Sequence, residues 1–268
     1  MVSRREFMLG EVPVAALGLA MAFRSDPTLS AREGETMPGA YFELQTYRLQ
    51  SGAQVGRLLG WLEKRALPIL QKSGLGPVGV FTVDVGPHIP AVLVLIHYPS
   101  LNEPETAKFR LGNETDWDAA RADLEAGGEP FYRLDTALLR ATSFSPPLKG
   151  TAAGDPTHKI FELRIYESPT QKQLGYLHER FAGGEIDVFH KSGIHPILYA
   201  DTLIGPDQPN MVYLIPFESQ DRREKAWAAF RENPEWAKLR DESIRRGGEI
   251  VRNITNMLLV PVTVSMIR

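Results

Sequence analysis

Between Glu162 and Asp201 the chain sets out seven residues able to bind a ligand or move a proton. Glu162, Arg164 and Tyr166 alternate, His190 and His195 stand five apart, and Tyr199 and Asp201 stand two apart. A two-residue spacing is the period of a strand, so each alternating set projects from one face. A carboxylate, a guanidinium and an imidazole gathered in one cavity can hold a polar ligand or pass it a proton. The competing reading is structural. Glu162 and Arg164 would then be an ion pair fixing two sheets, since buried charges are normally paired. His190 would suit a helix C-terminus, where a cation meets the dipole, and His195 would be a loop residue.

These residues lie in the second copy of a repeat. Phe42–Tyr47 reads FELQTY and Phe161–Tyr166 reads FELRIY, an offset of 119 residues. The same offset pairs Lys72-Ser73-Gly74 with Lys191-Ser192-Gly193, Gly86-Pro87 with Gly205-Pro206, Trp117 with Trp236, Arg121 with Arg240 and Thr136 with Thr255. A register kept that long marks a duplicated domain. The places of His178, Glu179, His190, His195, Tyr199 and Asp201 are held in the first copy by Leu59, Gly60, Gln71, Gly76, Val80 and Thr82. Any site therefore belongs to the second repeat. Glu43 repeats the Glu162 carboxylate in the half that lacks these histidines, which weighs towards the structural reading.

The bulk composition narrows the chemistry. The 268 residues are 43% hydrophobic and 24% charged, with a formal net charge of −3, which argues against a nucleic-acid binder. The absence of cysteine excludes disulfides, thiolate metal sites, a cysteine nucleophile and a lipobox anchor. His190 and His195, with Gly193 between them, share no helical face in the way an i, i+4 metal pair would, so no metal is expected. There is no phosphate-binding glycine loop, dinucleotide fingerprint, nucleophile elbow or haem-attachment motif. No cofactor is identified. The stripe Trp227, Phe230, Trp236 and Leu239 reads as core, and Arg222-Arg223-Glu224-Lys225 as a solvated face.

Each repeat reads β-α-β-β-α-β. In the first, strands are expected over 40–49, 79–85, 91–98 and 134–142, and helices over 55–72, 102–112 and 116–126, with Pro68 kinking the first. In the second, strands fall over 159–167, 197–204, 211–217 and 252–261. Its helices are 171–191, one capped by Ser219 running through Glu232, and one opened by Asn233-Pro234. The order is that of a ferredoxin-like α+β domain. Helices cover one sheet face, and the other must be buried. Two copies solve this internally as a pseudo-dimeric α+β barrel, with Glu162, Arg164, Tyr166, Tyr199 and Asp201 expected to point into it and His190 or His195 approaching from the helix end. The organisation is thus 40–142 for repeat one, 143–158 for the linker and 159–268 for repeat two, preceded by 1–39.

Residues 1–39 open with Arg4-Arg5-Glu6-Phe7, the pattern of a twin-arginine export signal. The apolar run Val12–Phe23 is too short for a bilayer, which needs ~20 residues, and Ala20-Met21-Ala22 offers a cleavage site. Arg24–Gly39 reads as a disordered spacer. A periplasmic or extracellular protein is expected, with no transmembrane anchor after cleavage.

Three segments resemble the NIPSNAP family. Phe161–Tyr166 resembles its opening E-L-R-x-Y strand. Ala226-Trp227-Ala228-Ala229-Phe230-Arg231-Glu232-Asn233-Pro234-Glu235-Trp236 resembles its W-x-x-F…D-P-x-W helix pair, with Asn233 in place of Asp. Leu258–Pro261 resembles its closing strand. The match is weaker in repeat one, where Gln45 replaces Arg. The resemblance implies two tandem dimeric α+β barrel domains and no agreed catalytic motif. The expected role is small-molecule or protein binding through the barrel cavity or sheet edges, with a homo-oligomer compatible. The alternatives are a cofactor-independent or haem-dependent oxidoreductase or isomerase using repeat two, and a structural cell-envelope protein.

Overall fold

A computed structural model describes residues 40–113, 115–152 and 158–268. The expected export signal and spacer over 1–39, and Gly154, Asp155 and Pro156 of the expected linker, lie outside the described residues. Repeat one runs β1 (Tyr41–Arg48), α1 (Gly52–Trp61), α2 (Leu67–Lys72), β2 (Val78–Val85), β3 (Ala91–Tyr98), α3 (Glu103–Gly112), α4 (Thr115–Ala126) and β4 (Arg133–Ala141). Repeat two runs β5 (Ile160–Glu167), α5 (Gln171–Arg180), α6 (Ile186–Lys191), β6 (Leu198–Ile204), β7 (Asn210–Phe217), α7 (Gln220–Glu232), α8 (Pro234–Gly247) and β8 (Asn253–Pro261).

Local chemistry sets these boundaries. The side chains of Ser51, Thr170, Ser219 and Asn233 each accept a backbone N–H in the first turn of α1, α5, α7 and α8. Gly74 and Gly193 take up the left-handed conformation (φ 76° and 82°) that lets the chain leave α2 and α6. The long first helix of each repeat is broken by a π turn, at Leu62–Ala66 and Phe181–Glu185. Pro68 lies just beyond the first turn. Repeat two has Asp187 in that place and breaks at the same position, kinked at Gly184 (φ 143°), so proline is not the common cause.

The eight strands close into a barrel in the order β1-β3-β2-β8-β5-β7-β6-β4, all pairings antiparallel. Each repeat contributes a four-stranded ferredoxin-like sheet, and the sheets join at β2–β8 and β4–β6. This is the α+β barrel expected. Among the described residues closure leaves no free strand edge, which corrects the expectation of binding at sheet edges.

The barrel interior is filled by the apolar half of each strand: Phe42 and Leu44, Phe81 and Val83, Leu93 and Leu95, Ala137 and Leu139, Phe161 and Leu163, Leu198 and Ala200, Val212 and Leu214, Met257 and Leu259. The space left among them is about 10 Å³, at the lower limit for holding a water. Leu148 of the connecting segment and Ile267 of the C-terminus join the same core. Among the described residues that space is too small for a ligand, which corrects the second expected route of binding. Outside, each sheet carries its own helix-covered core. Among the described residues no helix is long and apolar enough to cross a membrane.

A dry interior with no room to relax makes barrel leucines costly to truncate. Leu163→Ala is expected to lower stability by ~2–5 kcal/mol, read as a drop in the urea midpoint. A change below 1 kcal/mol would show that the interior is looser than described.

Candidate functional site

Strand parity places the candidate residues on the opposite face from the one expected. Phe161 and Leu163 point into the barrel, so Glu162, Arg164 and Tyr166 point out, under the helices of repeat two. The same parity puts Leu198 and Ala200 inside and turns Tyr199 outwards with Asp201. The physical reason is desolvation. The interior could not hydrate or pair this set of charges, whereas the outer face meets donors from α7 and opens to solvent beside it.

Glu162 is fully buried and saturated. One carboxylate oxygen accepts from Arg164 Nη1 at 2.6 Å. The other accepts from Arg223 Nε at 2.6 Å and Trp227 Nε1 at 2.7 Å. Burial alone would raise its pKa, but the hydrogen bonds and charges of Arg223, Arg164 and Trp227 hold it below the ordinary carboxylate range. The Arg164 guanidinium stacks 4.5 Å from the Trp227 ring centre and 5.4 Å from that of Tyr166.

Above this network, between β5, α7 and the start of α8, lies a cleft of about 550 Å³. Arg164, Tyr166, Arg223, Glu224, Trp227, Phe230, Arg231 and Trp236 line it. Behind it the π turn delivers Glu185, 1% exposed, to Arg180, whose Nε donates to it at 2.7 Å. Gly184, at φ 143°, lets the turn pass against Leu239 of α8. Burial pushes the Glu185 carboxyl up, against the lowering effect of Arg180. Tyr199 and Tyr213, 1% and 0% exposed, stack beside it with hydroxyls that make no well-formed hydrogen bond, and Arg164 Nε is likewise buried without one. Burial raises both phenols, Tyr213 far more than is usual.

The structure brings Glu162, Arg164 and Tyr166 together, sets Tyr199 behind them against Tyr213 in the same core, and leaves the other candidates apart. Asp201 Oδ1 pairs with His178 Nε2 at 2.8 Å, with Phe144 edge-on to that imidazole. His190 and His195 stack on one another at 5.1 Å, both exposed. His190 lies in the last turn of α6 and His195 in the following loop, as the structural reading had it. His195 borders a different cleft, with Arg222 and Lys225. Burial and the neighbouring His190 lower its pKa. Among the described residues no group of three metal-ligating side chains converges. Sequence reasoning missed Arg180, Glu185, Tyr213, Arg223 and Arg231. It treated Arg223 as solvated and Trp227 as plain core, although both clamp Glu162.

A family model described as NIPSNAP matches residues 42–146 and again 161–266. The chain belongs to the NIPSNAP family. None of the curated proteins matches this NIPSNAP chain. Among solved structures it is similar to a candidate monooxygenase from Lactobacillus acidophilus NCFM, at 10% identity and TM-score 0.52, covering 83% of this chain and 94% of that one. An anthrone oxidase-like protein aligns at 14% identity and TM-score 0.51 over 83% and 91%. A NIPSNAP family protein from Agrobacterium tumefaciens C58 aligns at 23% identity and TM-score 0.37, over 41% of this chain and 100% of that one. Likeness at these identities establishes the fold alone.

The depressed pKa of Glu162 makes stability depend on pH. An acid bound more weakly to its proton when folded stabilises above its unfolded pKa, ~4.3, and loses that contribution as pH falls through the folded value. Glu185, shifted upwards, acts in the opposite sense above ~4.3. Glu162→Gln leaves two arginines facing a neutral group and is expected to cost on the order of 3–5 kcal/mol at pH 7. The gap to the parent should narrow in urea titrations below pH ~4. A gap independent of pH would show that Glu162 is not held ionised.

Proposed function

We propose that this NIPSNAP protein binds a small anion carrying a planar apolar body in the outer cleft of repeat two. The observation that carries this is an imbalance of charge. Arg164 and Arg223 share the single carboxylate of Glu162, while Arg180 is matched by Glu185. One positive charge is left over beneath the cleft. At the rim stand Glu224 and Arg231, the latter with no ion pair among the described residues. The walls between are the rings of Tyr166, Trp227, Phe230 and Trp236. A cationic floor under aromatic walls suits an aromatic or enolic carboxylate, or a comparable monoanion.

A second reading, that the ligand is turned over, is favoured by the buried Tyr213 and Glu185 behind Arg164, with Tyr199 stacked on Tyr213. Protonated groups held there could supply or accept a proton in a cofactor-independent isomerisation or oxidation. The haem form of this reading is not proposed, because no histidine lines the cleft. We also propose export by the twin-arginine route to the periplasm, on the strength of Arg4-Arg5 and the short apolar run after them.

In the ligand test, 2-naphthoate is titrated against the protein by calorimetry, beside the neutral 2-naphthamide. Naphthoate is expected to bind more tightly. Arg231→Glu, an exposed change, should weaken it about 10–100-fold while leaving the amide unaffected. Equal binding of acid and amide would remove the anion reading. For export, the paired change Arg4→Lys and Arg5→Lys is expected to retain the chain in the cytoplasm on cell fractionation. Unchanged export would overturn the twin-arginine assignment.

A further inference from the structure

The 119-residue register carries the cleft of repeat two onto a second cavity in repeat one. Six positions line both: Gln45 matches Arg164, Tyr47 matches Tyr166, Lys108 matches Trp227, Leu111 matches Phe230, Gly112 matches Arg231 and Trp117 matches Trp236. The repeat-one cavity, about 280 Å³, lies between the outer face of β1 and β3 and the four helices. It sits at the lower end of the ~300–1,000 Å³ typical of small-ligand pockets.

Its chemistry is the reverse of its counterpart. The buried set Arg180, Glu185, Tyr199 and Tyr213 is replaced by Trp61, Ala66, Val80 and Val94. At the floor Glu43 accepts from Gln45 Nε2 and from the Tyr98 hydroxyl, both at 2.9 Å, and Gln45 accepts from the Tyr47 hydroxyl at 2.8 Å. Trp61 Nε1 donates to the carbonyl of Ala120 at 2.6 Å. The two cations at the mouth each face a carboxylate, Lys108 4.0 Å from Glu43 and Arg121 2.6 Å from Asp118. Among the described residues, none of the buried polar atoms lacking a hydrogen bond borders the cavity. No charge is uncompensated, and the walls are Trp61, Leu70, Val94, Leu111 and Trp117. A charged ligand would lose hydration there and find no free partner, whereas an apolar one loses nothing.

We propose that repeat one holds a second ligand site, distinct from the cleft of repeat two, that takes an uncharged, largely apolar molecule with an aromatic body. The two tryptophans, 5.9 Å apart and inclined at 55°, flank it. This site stands whether or not repeat two binds anions.

The test uses the neutral dye N-phenyl-1-naphthylamine on the full chain. Saturable one-to-one binding with a rise in dye fluorescence is expected. Val94→Tyr, which installs the residue that repeat two carries at the matching place, should weaken binding about tenfold or more. Gly112→Trp should do the same by capping the mouth. No atom lies within 4 Å of a Cβ built at Gly112, so a side chain can start there without a clash, and this change leaves the core untouched. Arg231→Glu should leave dye binding unchanged. Absence of saturable binding would overturn the proposal, as would binding indifferent to both repeat-one variants or abolished by Arg231→Glu.

Discussion

Everything on the outer face of repeat two hangs on one carboxylate. Glu162 sits on β5, yet two of its three donors come from α7, so the contact joins sheet to helix rather than strand to strand. It fixes the gap in which the cleft lies, and it fixes Arg164 flat against Trp227. Burial makes it costly to lose any member, because an ion left alone in such a place forfeits its hydration without recompense. Repeat one uses a gentler version. Glu43 is held by a glutamine and a tyrosine of its own sheet, with Lys108 only at the edge of reach.

Much of the architecture was legible in the chain because repetition and period are properties of sequence. The FELQTY and FELRIY strands, the caps at Ser219 and Asn233 and the glycines ending the first helices all fall where their local chemistry requires. The direction of β5 was legible as well and was misread. Phe161, Leu163 and Ile165 are wholly apolar, and only that set could fill a dry barrel, which leaves Glu162, Arg164 and Tyr166 outside. The π turns were not legible, since nothing in LEKRA or FAGGE states that a backbone bond skips to the fifth residue.

The site itself was half legible. Glu162, Arg164, Tyr166 and Tyr199 could be picked by type and spacing, and they do share one region. His190, His195 and Asp201 could be picked by the same criteria, and they do not, because a helix end, a loop and a strand lead them elsewhere. Arg223 and Trp227 were hidden by their company: a basic run looks solvated and an aromatic stripe looks like core. The place-by-place comparison of the repeats that flagged Tyr199 and Asp201 also flags Arg180, Glu185 and Tyr213 once it is extended to them, since tryptophan, alanine and valine are exchanged for ionisable groups there. A change of that kind at a buried position carries information that a list of polar residues does not.

The seams β2–β8 and β4–β6 have a further consequence. In a barrel assembled from two identical chains, the twofold axis copies every substitution into both halves, so two clefts can never be tuned apart. Here the halves are covalently one chain and the seams join unlike partners, Thr82 beside Val260 at one and Asp201 beside Arg140 at the other. The fold keeps the mutual burial that a dimer provides while each half answers to its own selection. Linkage in sequence thus releases the molecule from symmetry, and the polar and apolar sides of its surface are free to become two different organs.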